Sequence, residues 1–281
     1  MKVAAVQMVS TPRVDENFDV ARGLIAQAAA AGAELIALPE YFCLMGLHDS
    51  DKLDIAEPLA DTLIPGTNST PMQHVLSETA REHGIWLVGG TLPIRAADSD
   101  KVFNTTLVYG PDGSRVARYD KVHLFRFDDG QRRYDEAATL RPGSAPVAFD
   151  LTDRAGDTWR VGLSVCYDLR FPELFRQLGA RQPLDIIVLP AAFTDTTGRA
   201  HWELLLRARA VENLCHVLAP AQGGLHESGR RTFGHSLVAG PWGEVLASRQ
   251  EDGSGVVLAE LSKTRQAQVR NQLPALTHRV F

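Results

Sequence analysis

Cysteine is scarce in this chain. Three residues, Cys43, Cys166 and Cys215, cannot all pair with one another, and their spacings match neither a zinc ribbon nor a CxxC redox pair. A reducing compartment, the cytoplasm, is the expected location. No window approaches the roughly eighteen apolar residues that a membrane span needs. There is also no polybasic run, and the formal charge is -5, so neither nucleic acid nor a membrane surface is an expected partner. The nine histidines show no HxxxH or HExxH arrangement, which leaves no metal site to expect. Low-complexity segments and Ser-rich or charged linkers are missing too. One domain spanning residues 1–281 is therefore predicted.

Hydrophobic residues make up 44% and charged residues 22% of the chain, enough to build a substantial core. The first eight residues are apolar only briefly before Thr11-Pro12-Arg13, too short for a signal peptide, and read as a first strand. Without a secretion signal, the sequons at Asn68 and Asn104 carry no weight. Strand-like and helical runs then alternate: Val3 to Met8, a helix from Asp15 to Ala31 stopped by Gly32, and a strand from Leu35 to Pro39. Ser69-Thr70-Pro71 predicts the cap of a helix running to His83 and ended by Gly84, with a buried strand from Ile85 to Gly89.

Phe103 to Tyr109 and Ser114 to Asp120 flank Gly110-Pro111-Asp112-Gly113, the composition of a hairpin turn. Val238 to Ala247 repeats that design, which suggests internal pseudo-symmetry. The polar stretch from Arg126 to Pro146 reads as a surface loop. Strands near Ile186 to Pro190, Cys215 to Ala221 and Val256 to Leu261, with a helix from His201 to Asn213, complete a mixed α/β pattern.

Cys166 ends the apolar run Val161 to Val165 and precedes Tyr167-Asp168-Leu169-Arg170-Phe171-Pro172-Glu173. A strand turning sharply into a helix near Pro172 would put the thiol by a helix N-terminus, biased towards thiolate. Two other ionisable residues share its placement: Glu40 follows Leu35 to Pro39, and Lys121 follows the hairpin strand ending at Asp120. Strand ends in α/β sheets are where ligands are usually met. Alone, each has an ordinary structural reading as a packed thiol, a loop acid or a surface ion pair. Together, a thiol, a carboxylate and an ammonium supply nucleophile, general base or acid, and electrostatic stabiliser for acyl transfer.

Ala37-Leu38-Pro39-Glu40, Tyr119 to Leu124 and Val165 to Glu173 closely resemble the three signature regions of the nitrilase superfamily of carbon-nitrogen hydrolases. The likeness extends from Val3 to Glu260. Thr197 to Asn213, Ala221-Gln222-Gly223-Gly224 and Gly234-His235-Ser236 resemble the branch that hydrolyses deaminated glutathione, whose neighbours are ω-amidases acting on 2-oxoglutaramate.

The resemblance implies a four-layer α-β-β-α sandwich of two mixed sheets. It implies a Cys166 thioester, with Glu40 as base and with Lys121 and the Tyr167 backbone N–H as oxyanion stabilisers. It also implies a homodimer, paired through Phe171 to Gly179 and His201 to Asn213, and no metal or organic cofactor. A second glutamate of the family matches Glu136, although Asp135 beside it leaves the register open by one. Arg170, Thr194 and Arg199 are candidate anchors for substrate carboxylates, the last two from a loop expected after the strand at Ile186. Alternatives within the scaffold are an ω-amidase or an N-carbamoyl amide hydrolase; outside enzymology, an idle scaffold.

Overall fold

A computed structural model of the chain describes residues 1–60, 69–128, 130 and 133–280. The first half contains strands β1 (Lys2–Gln7), β2 (Leu35–Ala37), β3 (Trp86–Val88), β4 (Leu92–Arg95), β5 (Val102–Tyr109), β6 (Arg115–Asp120), β7 (Arg126–Asp128) and β8 (Arg133–Asp135), with helices α1 (Val14–Ala30), α2 (Asp51–Asp54) and α3 (Pro71–His83). The second contains β9 (Ala148–Thr152), β10 (Thr158–Leu163), β11 (Ile186–Val188), β12 (His216–Ala219), β13 (Gly223–Leu225), β14 (Arg231–Phe233), β15 (Leu237–Ala239), β16 (Val245–Ser248) and β17 (Gly255–Glu260), with helices α4 (Pro172–Leu178), α5 (Asp195–Asn213) and α6 (Lys263–Gln272).

Two mixed sheets result. One runs β17-β1-β2-β3-β5-β4 with β6 on β5; the other runs β16-β15-β12-β11-β10-β9. Strand alternation sorts the side chains of the first sheet. Val3, Ala5, Leu35 and Ala37 face the second sheet, in a core shared with Val161, Leu163 and Trp159. Ala4, Val6, Ile36 and Leu38 pack instead on Phe18 and Ile25 of α1 and Met72 and Leu76 of α3. On the far side, Phe175 of α4 and Trp202 and Leu206 of α5 continue the core. Strands covered on both faces need apolar residues at every position, which is why they read as unbroken hydrophobic runs. The arrangement is the α-β-β-α sandwich that the family resemblance implies.

The hairpin echo is structural. In each sheet three parallel strands, β1-β2-β3 or β10-β11-β12, are followed by an antiparallel hairpin, β5-β6 or β15-β16. Both hairpins slip register at the same place, between Val108 and Tyr109 and between Val238 and Ala239. Their turns also match: the Gly110 and Gly240 N–H groups donate to Ser114 and Glu244 carbonyls at 2.9 and 2.8 Å.

Three expectations need correction. Helix α5 begins at Asp195, not His201, because the Thr194 hydroxyl accepts from the Thr197 N–H at 3.4 Å and caps it. Gly198 sits inside that helix, where an added Cβ would lie 2.2 Å from Phe233, so the glycine marks a close crossing and not a break. Thr70 does not cap α3 through its side chain; the buried Glu57 carboxylate instead accepts from the Met72 and Gln73 amides at 2.6 and 3.3 Å. The stretch from Arg126 to Pro146 is not a loop throughout: β7 and β8 pair, a 3-10 turn covers Glu136–Ala138, and Leu140 is buried. Residues 129, 131 and 132 of that stretch, and the sequon residue Asn68, lie outside the described residues.

Gly90 holds the loop that carries Glu40. Its φ is +54°, and a Cβ there would lie 2.3 Å from the Pro39 carbonyl oxygen and 2.9 Å from Phe42. Gly90→Ala is expected to cost about 2 kcal/mol or more and to lower turnover; urea unfolding beside a steady-state assay checks both effects.

Candidate active site

Glu40, Lys121 and Cys166 lie just past the ends of β2, β6 and β10, on the two facing sheets. All three are buried, with exposures of 1%, 1% and 8%. The Lys121 ammonium donates to Glu40 Oε1 at 2.9 Å and to both Glu136 oxygens at 3.0 and 2.8 Å. The structure thus selects Glu136 rather than Asp135 as the second carboxylate on the lysine.

The carboxylates are themselves held. Glu40 Oε1 also accepts from the Asn104 side-chain amide at 2.8 Å, and Oε2 from the Ala192 N–H at 3.0 Å. The Phe125 N–H donates to Glu136 Oε2 at 2.7 Å, and the Tyr41 hydroxyl lies 3.3 Å from Oε1. Burial opposes the Lys121 charge, but the Glu136 and Glu40 carboxylates outweigh it and hold its pKa above the ordinary value. Glu136 is also penalised by burial, yet Lys121 beside it brings its pKa below the ordinary carboxylate value.

Cys166 opens a 3-10 turn, Cys166–Arg170, and α4 starts only at Pro172. It adopts φ +49°, an elbow conformation rare for a side chain with a Cβ; its N–H donates to the Pro190 carbonyl at 2.9 Å. The expected bias towards thiolate is not found. Burial raises the thiol pKa well above its ordinary value, and the Glu40 charge raises it further; Lys121 and a hydrogen bond with the Ala192 backbone pull the other way without cancelling them. The main reason is burial, which penalises the thiolate, and the Glu40 charge adds to it. Cys43 and Cys215 are buried free thiols, the first pushed up to about 12 by burial.

Asp168, two residues beyond Cys166, is the side chain that ties the elbow to the lysine segment. Fully buried, it accepts from the Val165 N–H and the Tyr119 hydroxyl through Oδ2 at 2.8 and 2.7 Å. Its Oδ1 meets the His123 N–H at 3.1 Å and His123 Nδ1 at 2.7 Å. His123 in turn stacks on Phe171 at 3.7 Å. Asp168, Asn104 and Tyr119 are residues that pattern reading passed over; the available signal was an acid within the elbow and an asparagine inside an otherwise apolar strand.

The cavity at Cys166 has Glu40, Glu136, Phe125, Tyr167 and Phe193 in its lining. Arg170 and Thr194 reach it as expected, and Arg170 lies over the Tyr167 and Phe193 rings at 5.8 and 5.4 Å. Arg199 does not reach it. Placed inside α5, it pairs with Asp195 at 2.8 Å and lines a separate cleft beside His201 and His235. A further cation that sequence reasoning did not single out, Arg230, lines the Cys166 cavity.

Comparison with known proteins places this geometry. The sequence matches the family model of carbon-nitrogen hydrolases over residues 2–271. It is 42% identical to the deaminated glutathione amidase of Synechocystis sp., covering 99% of this chain and 97% of that one. It is 37% identical to an omega-amidase of Xenopus laevis, covering 97% and 92%. The crystal structure of Saccharomyces cerevisiae Nit3, a member of branch 10 of the nitrilase superfamily, superposes with a TM-score of 0.84 at 31% identity, covering 100% of this chain and 97% of that one.

Removing the Asp168 carboxylate leaves two backbone N–H groups and the Tyr119 hydroxyl facing no acceptor in the interior. Asp168→Ala is expected to destabilise the fold by about 3–5 kcal/mol, with Asp168→Asn costing less; denaturant midpoints of the two variants check the order.

Proposed function

The chain is an amide-hydrolysing member of the carbon-nitrogen hydrolase family, and on that premise we propose that it hydrolyses deaminated glutathione through a thioester on Cys166. The supporting observation is the buried Glu40 carboxylate, which accepts from the Lys121 ammonium at 2.9 Å and lines one cavity with Cys166, whose thiol pKa burial and the Glu40 charge raise. A thiol with a raised pKa is a poor nucleophile until a base takes its proton, and Glu40 is the carboxylate positioned for that transfer.

In this reading Cys166 Sγ attacks the amide carbonyl as its proton passes to Glu40. Lys121 and the Tyr167 N–H stabilise the oxyanion. Glu40 returns the proton to the departing amine, so that it leaves neutral, and the acyl group remains on sulfur. Water, deprotonated by Glu40, then adds to the thioester carbonyl; the tetrahedral species collapses with loss of the thiolate, which regains its proton as the acid departs. Glu136 keeps Lys121 in place throughout, and Arg170 and Thr194 meet the carboxylate of the acyl half. No step calls on a metal or an organic cofactor.

The likeness to the Xenopus omega-amidase supports a second substrate, 2-oxoglutaramate, on the same machinery. We read residues 1–281 as one hydrolase domain working in the cytoplasm. It is proposed to act as a homodimer, because Leu204 and Val211 of α5 and Trp242, Val245 and Leu246 of the β15-β16 hairpin expose large apolar side chains.

Cys166→Ala is expected to abolish 2-oxoglutarate release from deaminated glutathione with the fold intact. Glu40→Gln should lower kcat by at least about 10²-fold, with single-turnover acylation slowed as well; a normal acylation rate in that variant counts against Glu40 as base. Light scattering should give twice the chain mass for the parent, and Leu204→Glu should shift it towards the monomer. A monomeric parent removes the dimer.

A further inference from the structure

The Cys166 cavity adjoins a second space. That passage shares Phe125, Glu136 and Arg230 with it, and shares Tyr41, Asp49, Lys52 and Tyr134 with an outer vestibule. Arg170 lines only the inner cavity, while Arg230 lines all three. The inner end therefore carries Arg170 with Arg230, and the outer end Lys52 with Arg230.

Lys52, from the one-turn helix α2, and Arg230, from the segment before β14, are both poorly compensated. Lys52 is 9% exposed; its ammonium meets the Thr139 hydroxyl at 3.4 Å and lies 5.2 Å from the Tyr41 ring centre. Burial lowers its pKa, with the nearby Asp49 and Glu136 charges opposing and Arg230 and Lys121 adding to that effect. The Arg230 guanidinium donates through Nη2 to the Ala192 carbonyl at 3.0 Å and lies 5.7 Å from the Tyr134 ring centre. Its Nε is buried and has no hydrogen-bond partner among the described residues. Nor does either side chain form an ion pair with a carboxylate among those residues; of the three acids on the passage, Glu136 is engaged by Lys121 and the Phe125 N–H, Asp49 is exposed, and Asp135 is half-buried and itself engaged. A buried ammonium and a half-buried guanidinium whose Nε is buried and unpartnered, neither in an ion pair among the described residues, are costly to hold, and an anion bound between them offsets that cost.

The chemistry says which anion. When the thioester forms, the acyl half stays on sulfur and must fit the small inner cavity with Arg170, while the amine half leaves first and must lie on the exit side. We infer that Lys52 and Arg230 form a subsite for a carboxylate on the departing amine, so that the enzyme selects amides bearing an anionic group on each side of the scissile bond. This rests on the amidase reading above. Deaminated glutathione meets the requirement, since its cleavage to 2-oxoglutarate leaves a dipeptide with a free carboxylate; 2-oxoglutaramate, which releases ammonia, does not.

Calorimetric titration of the Cys166→Ala protein with deaminated glutathione and with its glycine methyl ester tests the subsite without turnover. The acid should bind at least about tenfold more tightly than the ester, roughly 1.4 kcal/mol, and adding Lys52→Met or Arg230→Met should bring the ratio below about threefold. Equal affinities in the Cys166→Ala protein, no binding of either ligand, or a ratio retained in both added variants would overturn the subsite. Because the ratio compares two ligands on one protein, a loss of stability in a variant does not mimic it. Failure of the amidase reading is seen separately, as absent 2-oxoglutarate release from both ligands by the unsubstituted protein.

Discussion

The Lys121 ammonium, buried between the Glu40 and Glu136 carboxylates, is the constraint on which the site depends. Taking three charges out of water is expensive, and an apolar trio of similar volume would serve stability as well or better. The fold bears that cost by surrounding the acids with donors: Asn104, the Ala192 N–H and the Phe125 N–H each meet a carboxylate oxygen. These donors come from β5, the segment after β11 and the segment before β7, so both sheets must be docked before the cluster is satisfied. The charges thereby fix the relative position of the strand ends that carry them.

That arrangement also governs the thiol. One positive and two negative charges leave a net negative cluster beside Cys166, and burial removes the water that would stabilise a second anion. A resting thiolate is disfavoured, and in the proposed mechanism reactivity is released when a carbonyl receives the electron pair while Glu40 receives the proton. The strained elbow at Cys166 and the left-handed Tyr41 beside Glu40 put side chains into a space that regular strands would not reach.

Much of this was legible in the sequence. Apolar runs ended by Glu40 and Cys166, a hairpin strand ended by Lys121, and a resemblance to a known family pointed to these three residues, and two copies of one hairpin pattern announced the duplicated sheet design. What pattern could not show is interaction between distant segments. Asp168 looks like a loop acid until Tyr119, His123 and Val165 converge on it. The start of α5 was hidden by the polar Asp195-Thr196-Thr197-Gly198 run, whose helicity depends on a cap at Thr194 and on packing against Phe233. Arg199 is carried away from the cavity for the same reason. The thiol's charge state is not legible locally, because a helix end is a sequence-local feature, whereas burial between the sheets and the Glu40 carboxylate from the other sheet arise only on folding.

The most direct measurement is peptide-mapped mass spectrometry of protein acid-quenched during turnover of deaminated glutathione. The account predicts a 2-oxoglutaryl adduct on the peptide carrying Cys166, formed before the second product and lost on Cys166→Ala. Turnover with no adduct on that peptide, or an undiminished rate in Cys166→Ala, would contradict it.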